Sequence, residues 1–443
     1  MLQSLRIRNF RSIRDSGDLD LSDVNVLVGP NNSGKSSILY ALMLLRMSVD
    51  EKNPGSAIVT STPELDLGSY LDLIRGGVAK RNLSIDFTLD REAAQESNRG
   101  LHLRLPGKPA GYSNCNIEFA YDQTTNRIEV ESFTSKDLFG KNLLSVRRVE
   151  VGKWKIAGRP RRALKSTYVS FSGFFPILLF DKAKLRESRS GEEEALEWHY
   201  LSRRVMFGLT STLQGLRYIA PIRERIPRYG IMGTMPYSEL SPSGQNLMRV
   251  LSDSKMKSLR NKTLINELNY WLNTKFKLLK NVRMIDVDKS GTIRTLVADD
   301  RQGTRDINLA STGCGISQLV PVIVHTVLMP ESSCLLVEQP EIHLHPSAQA
   351  DLADLFVENA KHHRQFIIET HSEHFILRLR RRIAEGHIKP EKVRVFAVEK
   401  IGGQTRIKRL NIKSNGNFTE WPAGFFEEGY KEALAIAQAE NKE

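Results

Sequence analysis

The chain has 443 residues, 40% hydrophobic and 26% charged, with 64 basic and 51 acidic side chains and a net charge of +13. Its longest apolar stretch, around 318–329, is about half of the roughly 20 residues a membrane span needs, and the first residues lack the apolar core of a signal peptide. Three scattered cysteines, Cys115, Cys314 and Cys334, argue against a disulfide framework or a zinc site. A cytoplasmic protein with no membrane partner is expected.

The first strand reads LQSLRIRNF, with Leu5 and Ile7 alternating against Arg6 and Arg8. VNVLVG (24–29) is a nearly continuous apolar run, as in a strand buried on both faces. It leads into GPNNSGKSS and then ILYALMLLRMS, where Ile38, Ala41, Leu42 and Leu45 recur at helical spacing. Gly29 to Ser36 match G-x-x-x-x-G-K-[ST] in full, between a strand and a helix. The amides of Asn31, Asn32, Ser33, Gly34, Lys35, Ser36 and Ser37 are placed to form an anion nest at a helix N-terminus. Lys35 would reach the β- and γ-phosphates of ATP, and the Ser36 hydroxyl would ligate Mg²⁺.

Residues 83–89, 116–121 and 127–133 read as further strands, the last two joined through DQTTN. From 135 to 281 the chain is basic and richer in helical patterning, and is expected to be a mainly helical inserted arm. Positive charge gathers at 145–155, 158–165, 216–228 and 377–382. Together these clusters point to a nucleic-acid or acidic-protein partner. Arg161, Arg162, Arg223, Arg225 and Arg228 are read as lying outside every phosphate motif.

Strand patterning returns in a hairpin over 281–300, turning at 288–291. Its DVD triplet (286–288) reads as alternating strand positions rather than a nuclease pair. STGCGISQ opens an apolar helix to about Met329, and SCLLVEQPE ends a buried strand at Glu338. Glu338 would take a second place on the metal. His343 and His345 are two histidines without a third ligand, a thin metal site. The helix from Pro346, the strand QFIIE, the helix FILRLRRRIAEG and a hairpin (393–398, 405–410) follow. The expected division is 1–134 as the first part of an ATPase head, 135–281 as the arm, 282–414 as the rest of the head and 415–443 as a tail.

A P-loop near the N-terminus, a long insertion, a Gly-rich turn, an acidic strand end and a strand-terminal TH occur in that order. This arrangement resembles the ABC-type ATPase heads of the SMC, RecF and OLD (overcoming lysogenization defect) families. NFRS (9–12), EQPEIHLHP, ETHSEHFILRLRRRI, YIAPIRERIPR and WPAGFF are similar to stand-alone OLD-like AAA ATPases of prokaryotic phage-defence systems such as Septu. The resemblance implies an α/β fold, a mixed sheet with flanking helices. It places Arg11 and Ser12 beside the nucleotide. It sets Ser311, Thr312, Gly313 and Gly315 against the γ-phosphate of a partner protomer, and His371 as the residue sensing that phosphate. It implies a homodimer or higher homo-oligomer, an effector nuclease as partner, and DNA or RNA as a further ligand. A RecF-like DNA clamp is the alternative, and a self-contained nuclease the least favoured. The family also places a metal-sensing glutamine after the P-loop; DLGSYLDL (66–73) contains none.

Where such sites carry a second acid to activate water, this chain has Gln339. An amide orients water but cannot take its proton, and general-base help is typically worth about 10²–10⁴-fold. Glu341, two residues on, is the nearest alternative carboxylate. Slow hydrolysis is the expectation. Gln339→Glu should raise the single-turnover rate of ATP cleavage and Glu341→Gln should lower it. A wild-type rate on the order of 10 per second that neither change alters would refute the slow-switch reading.

Overall fold

VNVLV forms the strand Val24–Val28 with all five residues buried. The structure, a computed structural model, describes residues 1–50, 56–89, 112–158, 167–180, 189–232, 239–253 and 263–420. Val24–Val28 is a central strand of a six-stranded sheet. Its order is Leu216–Ile219, Cys334–Glu338, Gln365–Glu369, Val24–Val28, Val393–Ile401 and Gln404–Leu410. The first five run parallel and the last antiparallel. Alternation decides what each face meets. Leu27, Leu336 and Ile367 face the P-loop helix Lys35–Asp50, packing with Ile38, Leu39 and Leu42. Val24, Val26, Val28, Leu335, Val337, Phe366 and Ile368 face the other way, toward the helices Cys314–Leu328, Pro346–Ala360 and Glu373–Ala384.

A second sheet of eight strands covers the P-loop helix. It runs Lys153–Gly158, Asn142–Glu150, Arg127–Asp137, Tyr112–Asp122, Leu83–Leu89, Leu2–Phe10, Ile13–Asp15, with Leu19–Asp20 also on Leu2–Phe10. Leu5, Ile7, Ile85, Phe87, Ile117 and Phe133 turn inward onto that helix. The mixed α/β head expected from the sequence is therefore present, with the P-loop helix sandwiched between two sheets.

The segment 135–281, expected to be a mainly helical arm, holds strands as well as helices among the described residues. Asn142–Glu150 and Lys153–Gly158 extend the second sheet, and Thr167–Ser172 pairs with Phe175–Phe180. The long helix Arg189–Gln214 follows, and Leu216–Ile219 then enters the parallel sheet beside Cys334–Glu338. In SVRRVEVGKWK, Lys153 and Lys155 alternate on the edge strand Lys153–Gly158, while Arg147 and Arg148 are neighbours on Asn142–Glu150, which is paired on both sides. Asp286 pairs with Arg294, and Asp288 caps the hairpin turn through the Ile293 and Ser290 donors. The DVD triplet is thus structural. Cys115 and Cys334 are buried thiols and Cys314 is half-buried.

His325 of the helix Cys314–Leu328 is buried against the Ser241 carbonyl at 3.0 Å. Burial pushes its pKa down to about 4. The unfolded chain takes up this proton near pH 6.5 while the folded chain resists it, so stability is full above that pH and falls toward pH 4. His325 alone should remove about 2 kcal/mol between pH 7.5 and 5. Urea denaturation at the two pH values should show a smaller loss for His325→Asn; an identical loss would contradict this.

Candidate functional site

Every parallel strand ends at one rim of the sheet, and the rim carries the chemistry, as expected for an open α/β sheet. Gly29 leaves Val24–Val28 at φ 145°, where a Cβ would lie 2.0 Å from the Val398 carbonyl oxygen. Only glycine fits. Gly34, at φ 103°, is as tight: a Cβ there would meet the Thr405 hydroxyl at 2.3 Å. Between them Asn31 and Asn32 are exposed, Asn32 with φ 59°, and Ser33 is buried, as is Ser37 in the helix beyond. Lys35 is 3% exposed and donates to the Gly29 and Pro30 carbonyls at 3.1 and 2.8 Å. Its Nζ also lies 3.8 Å from Glu369 Oε1. Burial lowers the Lys35 pKa against the opposing pull of Glu369 and Glu341.

Arg11 and Ser12 do lie at this rim. The Arg11 guanidinium sits 4.8 Å over the Tyr40 ring, and its amide donates to the Leu73 carbonyl of the 66–73 segment. Ser12 Oγ bonds Thr405 Oγ1 at 2.7 Å, and Thr405 in turn donates to the Ser33 carbonyl at 2.7 Å. The C-terminal hairpin thereby clamps the P-loop from behind.

Glu338 ends its strand as expected, but both its oxygens are taken. Oε1 accepts from the Tyr218 hydroxyl at 2.6 Å and Oε2 from that of Tyr40 at 3.2 Å. Burial pushes the Glu338 pKa up to about 7, with both tyrosines pulling back. Gln339 turns the chain at φ 42°, its amide donating to the Glu369 carbonyl at 2.8 Å. Glu341 is buried, and its Oε1 accepts from the His371 amide at 2.6 Å. Burial raises its pKa. The His371 imidazole stands exposed at the mouth of the site; desolvation and then Lys35 lower its pKa. So Glu341 and His371 lie within electrostatic reach of Lys35, and Gln339 is tied by its backbone to Glu369.

The Gly-rich turn is apart. Ser311 and Gly313 are exposed, and Thr312 Oγ1 donates to the Leu309 carbonyl. Gly315 is packed so closely that a Cβ would lie 2.6 Å from the His343 carbonyl oxygen. Among the described residues no hydrogen bond joins this turn to the P-loop of its own chain. His343 is exposed at φ 63°, and His345 caps the helix Pro346–Ala360 by accepting from the Ser347 amide. Neither is part of a cluster of three metal-ligating side chains among the described residues.

The rim fits a polyphosphate and a divalent cation. Ser33 Oγ, Glu341 Oε2 and Glu369 Oε2 are buried with no hydrogen-bond partner among the described residues. Orphaned buried oxygens are costly, and here they surround one lysine at a glycine-lined helix N-terminus.

Residues 24–378 match the family model described as "AAA domain, putative AbiEii toxin, Type IV TA system". The chain belongs to this family. It carries an AAA domain. Residues 388–436 match a second model, "Protein of unknown function (DUF3696)". An uncharacterized protein of Methanocaldococcus jannaschii, MJECL10, is 46% identical over 44 residues, which is 10% of this chain and 20% of that protein. The chain thus spans about a fifth of that relative's length. The Smc head bound to the C-winged helix domain of ScpA aligns over 93% of this chain and 98% of its own at 12% identity, with TM-score 0.46. The Thermotoga maritima SMC head aligns over 93% and 99% at 13% identity, with TM-score 0.38. An Smc head with an extended coiled coil, bound to the C-terminal domain of ScpA derived from Pyrococcus furiosus, aligns over 99% of each chain at 12% identity, with TM-score 0.42.

In this AAA chain, two arginines of the basic cluster 216–228 are held against residues expected at the site. Arg223 is 2% exposed. Its Nη2 donates to the Gln339 carbonyl at 2.9 Å, and its backbone is pinned by Gln318 of the helix after the Gly-rich turn. Burial lowers its pKa to about 10. Arg228 donates to Ser311 Oγ at 3.1 Å. The other basic clusters are partly neutralised from within. Arg378 and Arg382 converge on Asp354, and Arg148 pairs with Glu129. Arg161 and Arg162, and WPAGFF, lie outside the described residues. Sequence reasoning missed Glu369, Arg223, Tyr40, Tyr218 and Thr405. The acid directly before TH in ETHSEHF was a usable signal for Glu369. The others are brought in only by packing.

Thr405→Val removes the hydroxyl shared by Ser12 and the Ser33 carbonyl. At about 1 kcal/mol per hydrogen bond, ATP affinity by calorimetry should fall about tenfold, and Thr405→Ser should restore it. Unchanged affinity in the valine variant would show that the clamp does not shape the loop.

Proposed function

We propose that this ATPase is a nucleotide-gated switch: it binds ATP with Mg²⁺ at Gly29–Ser36, pairs with a second copy of itself, and hydrolyses slowly. The observation that carries the reading is the split site. The P-loop rim has orphaned acceptors and a buried lysine, while Ser311 and Gly313 stand exposed and unattached to it. A second protomer bringing Ser311, Thr312, Gly313 and Gly315 to the γ-phosphate completes such a site. Lys35 would trade its carbonyl partners for phosphate oxygens, and the loop amides add donors at a helix N-terminus. Ser36 would hold Mg²⁺, which when bound offsets the charge gathering on the transferred phosphoryl group.

Gln339 orients water without taking its proton. Glu341 is the carboxylate that could accept one, being raised in pKa by burial and tied to the His371 amide. His371 would report on the γ-phosphate. The ATP-bound dimer then governs an effector nuclease in phage defence. The family description, with its type IV toxin–antitoxin system, agrees with a defence role. The RecF-like clamp reading loses support from 216–228, because Arg223 is buried and Arg228 serves Ser311.

Lys35→Ala should abolish ATP binding in calorimetry, a loss of roughly 100-fold or more given the point charge removed. Ser311→Arg should keep ATP binding but abolish ATP-dependent dimers in light scattering. Wild-type-like dimers in the second variant would sink the split-site proposal; unchanged affinity in the first would sink the nucleotide reading.

A further inference from the structure

A cavity of about 980 Å³ is lined by the second half of the P-loop helix and by the segment 216–249. Its apolar wall includes Met43 and Met47 of the helix, Leu216, Leu240 and Met248, all buried. It has no residue in common with Gly29–Ser36, and the helix rises roughly 12 Å from Lys35 to Met43, so it is not the nucleotide site. Its size is that of a small-molecule pocket, on the order of 300–1,000 Å³.

Three arginines line it, Arg46, Arg217 and Arg249. Arg217 pairs with one oxygen of Glu239, and Arg46 Nη2 lies 3.9 Å from the other. Arg46 Nε donates to the Leu216 carbonyl at 3.1 Å and Arg249 Nε to the Ile231 carbonyl at 3.2 Å, which holds both guanidiniums at the wall. Burial, and then the charge of Arg46, lower the Arg217 pKa to about 10. The two acids of the lining, Glu64 and Glu239, are exposed. Positive charge is thus gathered in an apolar recess and answered by carboxylates that solvent reaches. An ion pair that served packing alone would leave no such space beside it, because protein interiors hold few voids larger than a water molecule.

We propose that this cavity binds a small organic anion, an apolar body of aromatic-ring size carrying one phosphate or carboxylate, and that Glu239 stands where the anion's headgroup would sit between Arg46 and Arg217. Guanidinium forks take either headgroup through paired hydrogen bonds, and methionines reshape readily around a flat apolar body. The inference goes beyond the ATP reading and does not depend on it. Tyr218 lines the cavity and donates to Glu338 at 2.6 Å, so it is the residue through which such a ligand touches the nucleotide site.

The probes are naphthyl phosphate and naphthoate, titrated into the full chain by calorimetry with a saturating non-hydrolysable ATP analogue present. At least one should bind, and the tighter of the two identifies the headgroup. Arg217→Met and Arg46→Met, which keep an apolar stem, should each weaken it about 10–100-fold. Glu239→Gln, which removes the competing charge, should tighten it about two- to fivefold. Should an arginine variant fail to fold, the exposed Glu239→Gln decides. Binding of neither probe, wild-type affinity in both arginine variants, or unchanged or weaker affinity in Glu239→Gln overturns the proposal and leaves the ATP reading intact. An analogue that does not bind overturns the ATP reading alone, and the same titrations without it still test the cavity.

Discussion

Val24–Val28 is buried on both faces and hydrogen-bonded on both edges, to Gln365–Glu369 on one side and Val393–Ile401 on the other. Because all three strands run parallel, their C-terminal ends share one rim. The P-loop, the acid before His371 and the back wall formed by Val398 therefore meet without any long-range search for geometry. Glu369 stands opposite Leu27, two residues before Gly29. A shift of one residue in that register would turn Glu369 to the other face and leave Lys35 without its carboxylate.

A second constraint follows from burial of charge. Lys35, Arg223, Glu338, Glu341 and Glu369 are each no more than 7% exposed. Such groups are tolerated only when paired or when a ligand completes them. Glu338 is satisfied by two phenols, while Arg223 has backbone acceptors for Nη2 but none for Nε and Nη1 among the described residues. Lys35, Glu341 and Glu369 are only partly satisfied, and they surround the place where a phosphate would sit. The division between framework and working charge is drawn by hydrogen bonds rather than by residue type.

Arg223 also joins parts that are far apart in the chain. Gln318 holds its backbone from the helix behind the Gly-rich turn, and its guanidinium holds the carbonyl of Gln339. Arg228 reaches Ser311 from the same loop. One segment, 221–228, thus touches both halves of the proposed composite site.

Much of this was legible in the amino-acid sequence, for a local reason. A Gly-rich loop between a buried apolar run and a helix-period run is a short-range pattern, and so are the strand ending in Glu338 and the TH after QFIIE. Continuous burial in VNVLV, CLLVE and QFIIE requires a sheet covered on both sides. In 135–281 the charge of Arg147, Arg148, Lys153 and Lys155 hid the strands Asn142–Glu150 and Lys153–Gly158, which only their pairing with each other and with Arg127–Asp137 reveals. What only the tertiary structure decided is which acid faces Lys35. Glu338 and Glu369 are alike in sequence, each at the end of an apolar strand. Tyr40 from the P-loop helix and Tyr218 from the far edge of the sheet close on one and not on the other. That difference lies in contacts between residues 120 or more positions apart, which no local pattern encodes.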